Sequence, residues 1–205
     1  MNQADTPARE HERLNKGART RLRILDAGAH VLRTKGFAET RLSDIAEVAG
    51  LKTGSLSFHF PSKTALLEEV LRHGFEAGLE LVAGAAGSVG ANAPAGARLV
   101  AAVEAHLSAL QERADYAPAL LRTMEQFPAD MRCRLRGVDR GYVGYWRELV
   151  TAAQAEGAMP ADLDAALVVR LVLGAMNSTL GRSALAPREQ SVATVLWMLG
   201  LERRG

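Results

Sequence analysis

Residues 24–70 read ILDAGAHVLRTKGFAETRLSDIAEVAGLKTGSLSFHFPSKTALLEEV, and the fold turns on this stretch. Ile24, Leu25, Gly28, Val31 and Leu32 recur at steps of three and four, the period of one helix face. With Gly36 as a C-terminal stop and Phe37 folding back, the spacing predicts a first amphipathic helix from about Lys16 to Gly36. Leu42, Ile45, Ala46 and Ala49 repeat the pattern over two turns, and Gly50 follows where a left-handed residue would end the helix. A third short helix spans Thr53 to Phe60: a hydroxyl opens it, Leu56 and Phe60 stand four apart, and Pro61 halts it. Ser62 can cap a longer fourth helix whose Leu66, Leu67, Val70, Leu71 and Phe75 form an apolar stripe.

Two short helices joined by a tight turn at Gly50 make a helix-turn-helix in outline. Away from the inward Leu56 and Phe60, the third helix carries Thr53, Ser55, Ser57 and His59, small or polar groups that allow close approach to DNA. A recognition helix needs that surface, because its N-terminal residues meet base edges in the major groove while neighbouring hydroxyls and amides hold phosphates. Lys63 opens the next helix, where its ammonium and the positive end of the helix dipole add for a phosphate. A generic three-helix bundle with a polar face would show the same apolar positions, but not this combination of turn, donors and lysine.

The stretch resembles the DNA-binding domain of TetR family transcriptional regulators over about residues 18–70, through Gly36, Thr40, the IAEVAG turn, Gly54, Leu56 and the HFPSK ending. That resemblance implies an all-α homodimer whose N-terminal heads bind a near-palindromic double-stranded DNA operator. It also implies a C-terminal domain in which a small-molecule effector changes the head separation and releases the DNA. By position, Lys52, Thr53, Ser55 and His59 fall where the family's recognition helix meets DNA, and Lys63 falls at its phosphate-binding lysine. Two positions depart from the family pattern. Arg41 stands at the cap of the second helix where Ser or Thr is usual; an arginine cannot cap in the same way but can reach a phosphate or base, so capping passes to Thr40 or Ser43. Ser57 stands where a tyrosine is common, with an aromatic, Phe58, one position later.

Outward from the head, 205 residues with 48% hydrophobic and 23% charged side chains describe an ordinary globular chain with a mainly aliphatic core, since aromatics make up only 5%. The longest uncharged run, Leu81 to Ala97, is 17 residues of mostly Ala, Gly, Ser and Pro, too short and too weakly apolar to span a bilayer. The charged first 20 residues lack the apolar core of a secretory signal, so the expected address is the cytoplasm, with no membrane partner. Cys133 alone can form no internal disulfide. Charge is unevenly divided: residues 1–63 hold 11 Lys and Arg against 7 Asp and Glu, while the remainder holds 14 against 16. Arg13, Lys16, Arg19, Arg21 and Arg23 come without an intervening acid. The expected organisation is a flexible basic arm over 1–15, the helix-turn-helix domain over 16–63, and a helical effector-binding and dimerisation domain over 64–205.

Beyond a fourth helix expected to fray in the Leu81 to Ala97 run, helices are predicted near 95–113, 117–127, 129–156, 162–182 and 187–201. The resemblance assigns the last two to a four-helix dimer interface. Gly174, Ala175, Ser178 and Gly181 would let a second backbone approach, and Leu167, Leu171, Val195 and Leu199 add apolar area, although small residues can equally pack within one subunit. Met124, Phe127, Tyr142, Tyr145, Trp146 and Met176 are the candidate walls of a ligand pocket, which needs adaptable apolar surfaces with few polar tips. Arg122, Arg132, Arg134, Arg136, Arg140 and Arg147 crowd the same region; some could hold an anionic head, which suggests a fatty acid or acyl thioester as effector. Catalytic function finds no support, for there is no HExxH, GxSxG or Walker loop, the five histidines lack metal-ligand spacing, and no cofactor or metal is expected. The remaining rival is a ligand-independent architectural protein that coats DNA through charge, against which the modest basic excess of the head argues.

Overall fold

The computed structural model describes residues 6–90, 92–112, 115–179 and 187–201, and their regular elements are all helical. Helix α1 runs Thr6–Glu39, α2 Leu42–Ala49, α3 Thr53–His59, α4 Lys63–Ser88, α5 Ala95–Glu112, α6 Tyr116–Thr123, α7 Ala129–Ala155, α8 Ala165–Asn177 and α9 Arg188–Met198. A single 3-10 turn over Met124–Gln126 separates α6 from α7, so the helix expected over 117–127 is two elements.

Local chemistry explains the breaks. At Gly36 the backbone leaves helical geometry (φ 76°, ψ 175°), and the Thr40 hydroxyl donates back to the Gly36 carbonyl at 2.6 Å. Gly50 takes the left-handed conformation (φ 62°, ψ 40°) that closes α2, while Arg23 donates to the Ala49 carbonyl beside it. Ser62 caps α4 by accepting from Ala65 N–H at 3.1 Å, and Asp164 caps α8 by accepting from Leu167 N–H at 2.8 Å. At α2 neither Thr40 nor Ser43 is the cap. Arg41 occupies that position, and its own N–H is taken by the Asp44 carboxylate at 3.3 Å, half of a capping box.

Two expected limits move. Helix α4 does not fray at Leu81 but continues to Ser88, because Val82 and Ala86 are fully buried in the C-terminal core. At the other end, helical geometry reaches back from Lys16 to Thr6, into the stretch anticipated as an arm; Pro7 lies in the first turn, where its missing N–H costs nothing.

Burial divides into two clusters. The first gathers Ile24, Leu32, Ile45, Leu56, Phe60, Leu66, Leu67 and Val70 from the head, and draws in Ala119 of α6, Phe127 of the α6–α7 connection, and Met131 and Leu135 of α7. The second joins the end of α4 to α5, the C-terminal half of α7, α8 and α9 around Trp146, Leu99 and Met176. Helices α4 and α7 belong to both, so the head is not sealed off at residue 63.

Close packing within the head rests on one small residue. A methyl group at Gly28 would come within 2.7 Å of Val70 Cγ2, a fully buried β-branched side chain that cannot swing away. Gly28→Ala is expected to destabilise the protein by about 1–2 kcal/mol, because separating α1 from α4 outweighs the roughly 1 kcal/mol of helix propensity gained. Urea unfolding measures this, and an alanine variant as stable as the parent would show that the α1–α4 contact yields freely.

Candidate nucleic-acid interface and ligand cavity

Leu56 is buried in the head core and fixes how α3 sits, so the other positions of that helix turn outward. Lys52, Thr53, Ser55, Ser57 and Phe58 are exposed, and His59 is half-buried. Phe58 is 88% exposed, with its ring edge-to-face on His59 at 5.4 Å. Exposed cations stand at the N-cap of α2, Arg41, and at the N-cap of α3, Lys52. Each lies where unbonded helix N–H groups already favour an anion. The exposed surface of α2 and α3 therefore offers hydroxyls, an aromatic ring and two cations.

Lys63 has a different immediate role from the one its position suggested. Its ammonium donates to the carbonyls of Phe37 at 2.9 Å and Ala38 at 3.2 Å, and stands 4.8 Å over the Phe37 ring. It thus closes the C-terminal end of α1. Arg21 is likewise engaged, bonded to Glu69 at 2.7 Å and stacked 4.5 Å over Phe60.

The second feature is a cavity of about 170 Å³ between α4, α5, α6, α7 and α8. Its walls are mainly apolar, including Leu71, Phe75, Leu81, Leu110 and Leu173. Two glycines of α4 make room for it: a methyl at Gly74 would come 2.9 Å from the Tyr116 ring, and one at Gly78 would touch the Tyr142 ring at 3.6 Å. Polar tips come from His106, Asp139, Tyr142 and Asn177. His106 Nδ1 and the Tyr142 hydroxyl lie 2.5 Å apart. Burial holds His106 well below the usual histidine range, at about 4, against a smaller upward pull from the Asn177 side chain. Among the described residues Nε2 is buried without a hydrogen-bond partner. Burial also raises the Tyr142 phenol and the Asp139 carboxyl.

Of the six pocket residues anticipated, only Tyr142 lines this cavity. Trp146 and Met176 are core, at most 1% exposed, and Tyr145 packs against the same core. Met124 and Phe127 belong to the head cluster, where Phe127 meets Phe37 edge-to-face at 5.0 Å. Among the described residues, no Lys or Arg of the cluster is on the cavity wall. Arg134 pairs with Glu68 and Asp130, Arg132 reaches the Glu125 carbonyl, and Arg136, Arg140 and Arg147 are exposed. The side chains of Arg13 and Arg122 lie outside the described residues. His106 had a legible signal, since it falls on the Leu99, Val103, Leu107, Leu110 stripe of α5 where an apolar residue belongs.

On the far side of the C-terminal unit, α8 and α9 present apolar surface to solvent. Leu163, Leu167 (45% exposed) and Leu171 (59%) follow one another at four-residue steps, with Trp197 (78%) and Met198 on α9. Gly174 and Ser178 continue the α8 stripe, and a methyl at Gly174 would meet nothing. Val195 and Leu199, expected on this surface, are instead buried within the subunit. Gly181 lies outside the described residues. Among the described residues no helix is long and apolar enough to cross a membrane, and no group of His, Cys, Asp and Glu could hold a metal ion.

Comparison with known proteins agrees with this layout. Residues 24–70 match the family described as bacterial regulatory proteins, tetR family, and residues 92–180 match the tetracyclin repressor-like C-terminal domain. The HTH-type transcriptional repressor KstR2 of Rhodococcus jostii is 37% identical over 67 residues, 33% of this chain and 32% of that protein, so the match spans about a third of the relative's length. The fatty acid metabolism regulator protein of Bacillus subtilis is 21% identical over 159 residues, 78% of this chain and 80% of that protein. Among solved structures, the transcriptional regulator FadR from Bacillus subtilis in complex with stearoyl-CoA has the same fold, with a TM-score of 0.73 at 20% identity, covering 88% of this chain and 99% of that one.

Proposed function

The chain belongs to the TetR family of DNA-binding transcriptional regulators, and from that premise we propose that it is a repressor, acting as a homodimer released from a palindromic operator by a small apolar ligand. The observation that carries this reading is the outward face of α3, where Thr53, Ser55, Ser57, Phe58 and His59 stand ready for base edges. Lys52 and Arg41 suit the flanking phosphates, and Lys63 braces the end of α1. The apolar α8–α9 surface supports pairing of two copies, which would set two heads on half-sites about 34 Å apart.

The contacts between cavity and head supply a route for release. Tyr116 lines the cavity, and its hydroxyl donates to Asp26 of α1 at 2.7 Å. Asp115 beside it pairs with His30 and Arg33 of α1, and Phe37 N–H donates to Gln126 at 2.9 Å. A ligand that spreads α4 from α6 and α7 therefore pulls on α1, which packs against both α2 and α4 on either side of α3 in the chain. Such a ligand shifts the equilibrium only by its differential affinity for the two head arrangements.

A second reading of the ligand, a long-chain acyl thioester, is favoured by the likeness to FadR, whose solved complex holds stearoyl-CoA. Among the described residues the wall carries no Lys or Arg, which speaks against an anionic head inside the cavity. A ligand-independent architectural role would leave the cavity unused and predicts no spacing preference.

The test is selection of genomic fragments by the purified protein. Recovery of a few palindromic sites is expected, with Ser55→Ala and His59→Ala changing the ranking of operators and Lys52→Ala lowering affinity for all of them while reducing the salt slope by about 1. Uniform recovery, with the ranking unaltered by either alanine, would overturn operator recognition through α3.

A further inference from the structure

Resting on the reading of the chain as an effector-responsive regulator, we infer that the cavity takes a compact apolar amine, held by its protonated nitrogen against Asp139. Asp139 lines the cavity, and burial is the influence acting on its carboxyl, with no bond or paired charge beside it among the described residues. Half-exposed, Asp139 is only partly desolvated by this largely apolar wall, and a cation is the partner that offsets that cost most fully. The rest of the wall agrees. Among the described residues it contains no Lys or Arg to compete for the carboxylate or to receive an anion. Its histidine, His106, is 7% exposed and neutral, so it adds no charge repelling an amine, and its Nε2 has an unmet hydrogen-bond capacity. An acyl carboxylate or phosphate in the same place would meet Asp139 with like charge.

Size points the same way. A cavity of about 170 Å³ is below the roughly 300–1,000 Å³ usual for drug-sized ligands and close to the ~150 Å³ that admits benzene. One ring with a short aminoalkyl arm fits that space, the ring among Leu71, Phe75, Leu110 and Leu173 and the nitrogen at Asp139.

The experiment titrates the full-length protein with three matched probes, 2-phenylethylamine, ethylbenzene and 3-phenylpropionate, and with stearoyl-CoA, following heat and thermal melting. The amine is expected to bind at least 10-fold more tightly than the neutral probe, and the carboxylate more weakly than either. Asp139→Asn, nearly isosteric and half-exposed, should remove the amine's advantage while keeping ethylbenzene binding. Gly78→Leu, which fills the cavity towards Tyr142, should remove both. Equal amine affinity in Asp139→Asn, preference for the carboxylate or stearoyl-CoA, or binding of none of the probes would each overturn the inference. Fragment selection separates the two readings: amine binding with no operator recovered sinks the regulator, whereas operator binding with no amine preference sinks only the ligand class.

Discussion

Leu171→Arg is expected to yield a folded monomer whose operator affinity is lower by at least about 100-fold, the scale on which a second linked head contributes. Within one subunit Leu171 is 59% exposed, and the buried side of α8 is made by Val169, Val172, Leu173 and Met176. Substituting it therefore leaves the subunit core intact, in the range where surface changes alter stability by only about 0.5 kcal/mol. At a two-fold interface the same arginine enters twice, and each copy loses apolar contact while burying an unpaired charge. Light scattering gives the mass, thermal melting confirms the fold, and operator titration gives the affinity. A variant that stays dimeric would move the interface away from α8. A monomer with unchanged affinity would mean that one head suffices.

The head was legible from sequence because its signals are local. Gly50 ends α2, Pro61 ends α3 and Ser62 caps α4 through contacts no more than a few residues long, and the observed bounds of α2 and α3 agree with the periodicity. What local reasoning could not supply was where long side chains go. Lys63 sits at a helix N-terminus that favours an anion, yet its ammonium turns to carbonyls 25 and 26 residues upstream. The cavity was less legible still. Aromatic and methionine residues signal packing volume, and Trp146 and Met176 spend it on the core. The space itself comes from Gly74 and Gly78, whose meaning depends on Tyr116 and Tyr142 approaching from other helices. The α8–α9 surface shows the same limit: periodicity places Leu167 and Leu171 on one stripe, but only the packing of α9 against α5 and α8 reveals that Val195 and Leu199 turn inward.

Stability is expected to fall as pH drops from about 6.5 towards 4, by on the order of 3 kcal/mol, with His106 the chief cause. In the unfolded chain an imidazole takes up its proton near pH 6.5, whereas burial keeps His106 neutral in the folded chain until about 4. Between those values the unfolded state binds more protons, so stability rises with pH across that window and is fully present above it. The groups around the imidazole do not reverse this sign. Tyr142 stays protonated, Asn177 is uncharged, and Asp139, with its carboxyl raised by burial, does not pair with His106. The lowered carboxylates act further down. Asp44, lowered by its bond from Lys35, and Glu69, where burial pushes upward but bonds from Arg72 and Arg21 outweigh it, keep their contribution above their ordinary values of 3.8 and 4.5. Their stabilisation is lost only as pH falls through lower values still, and the raised Asp139 carboxyl acts with the opposite sign, gaining stability on acidification, so the loss from 6.5 to 4.5 falls to histidine. Urea midpoints measured across that region should slope for the parent and flatten in His106→Gln, whose amide can still meet the Tyr142 hydroxyl but cannot titrate. A glutamine variant that keeps the parent's slope would place the acid sensitivity elsewhere and would remove the grounds for treating the imidazole as a neutral wall of the cavity.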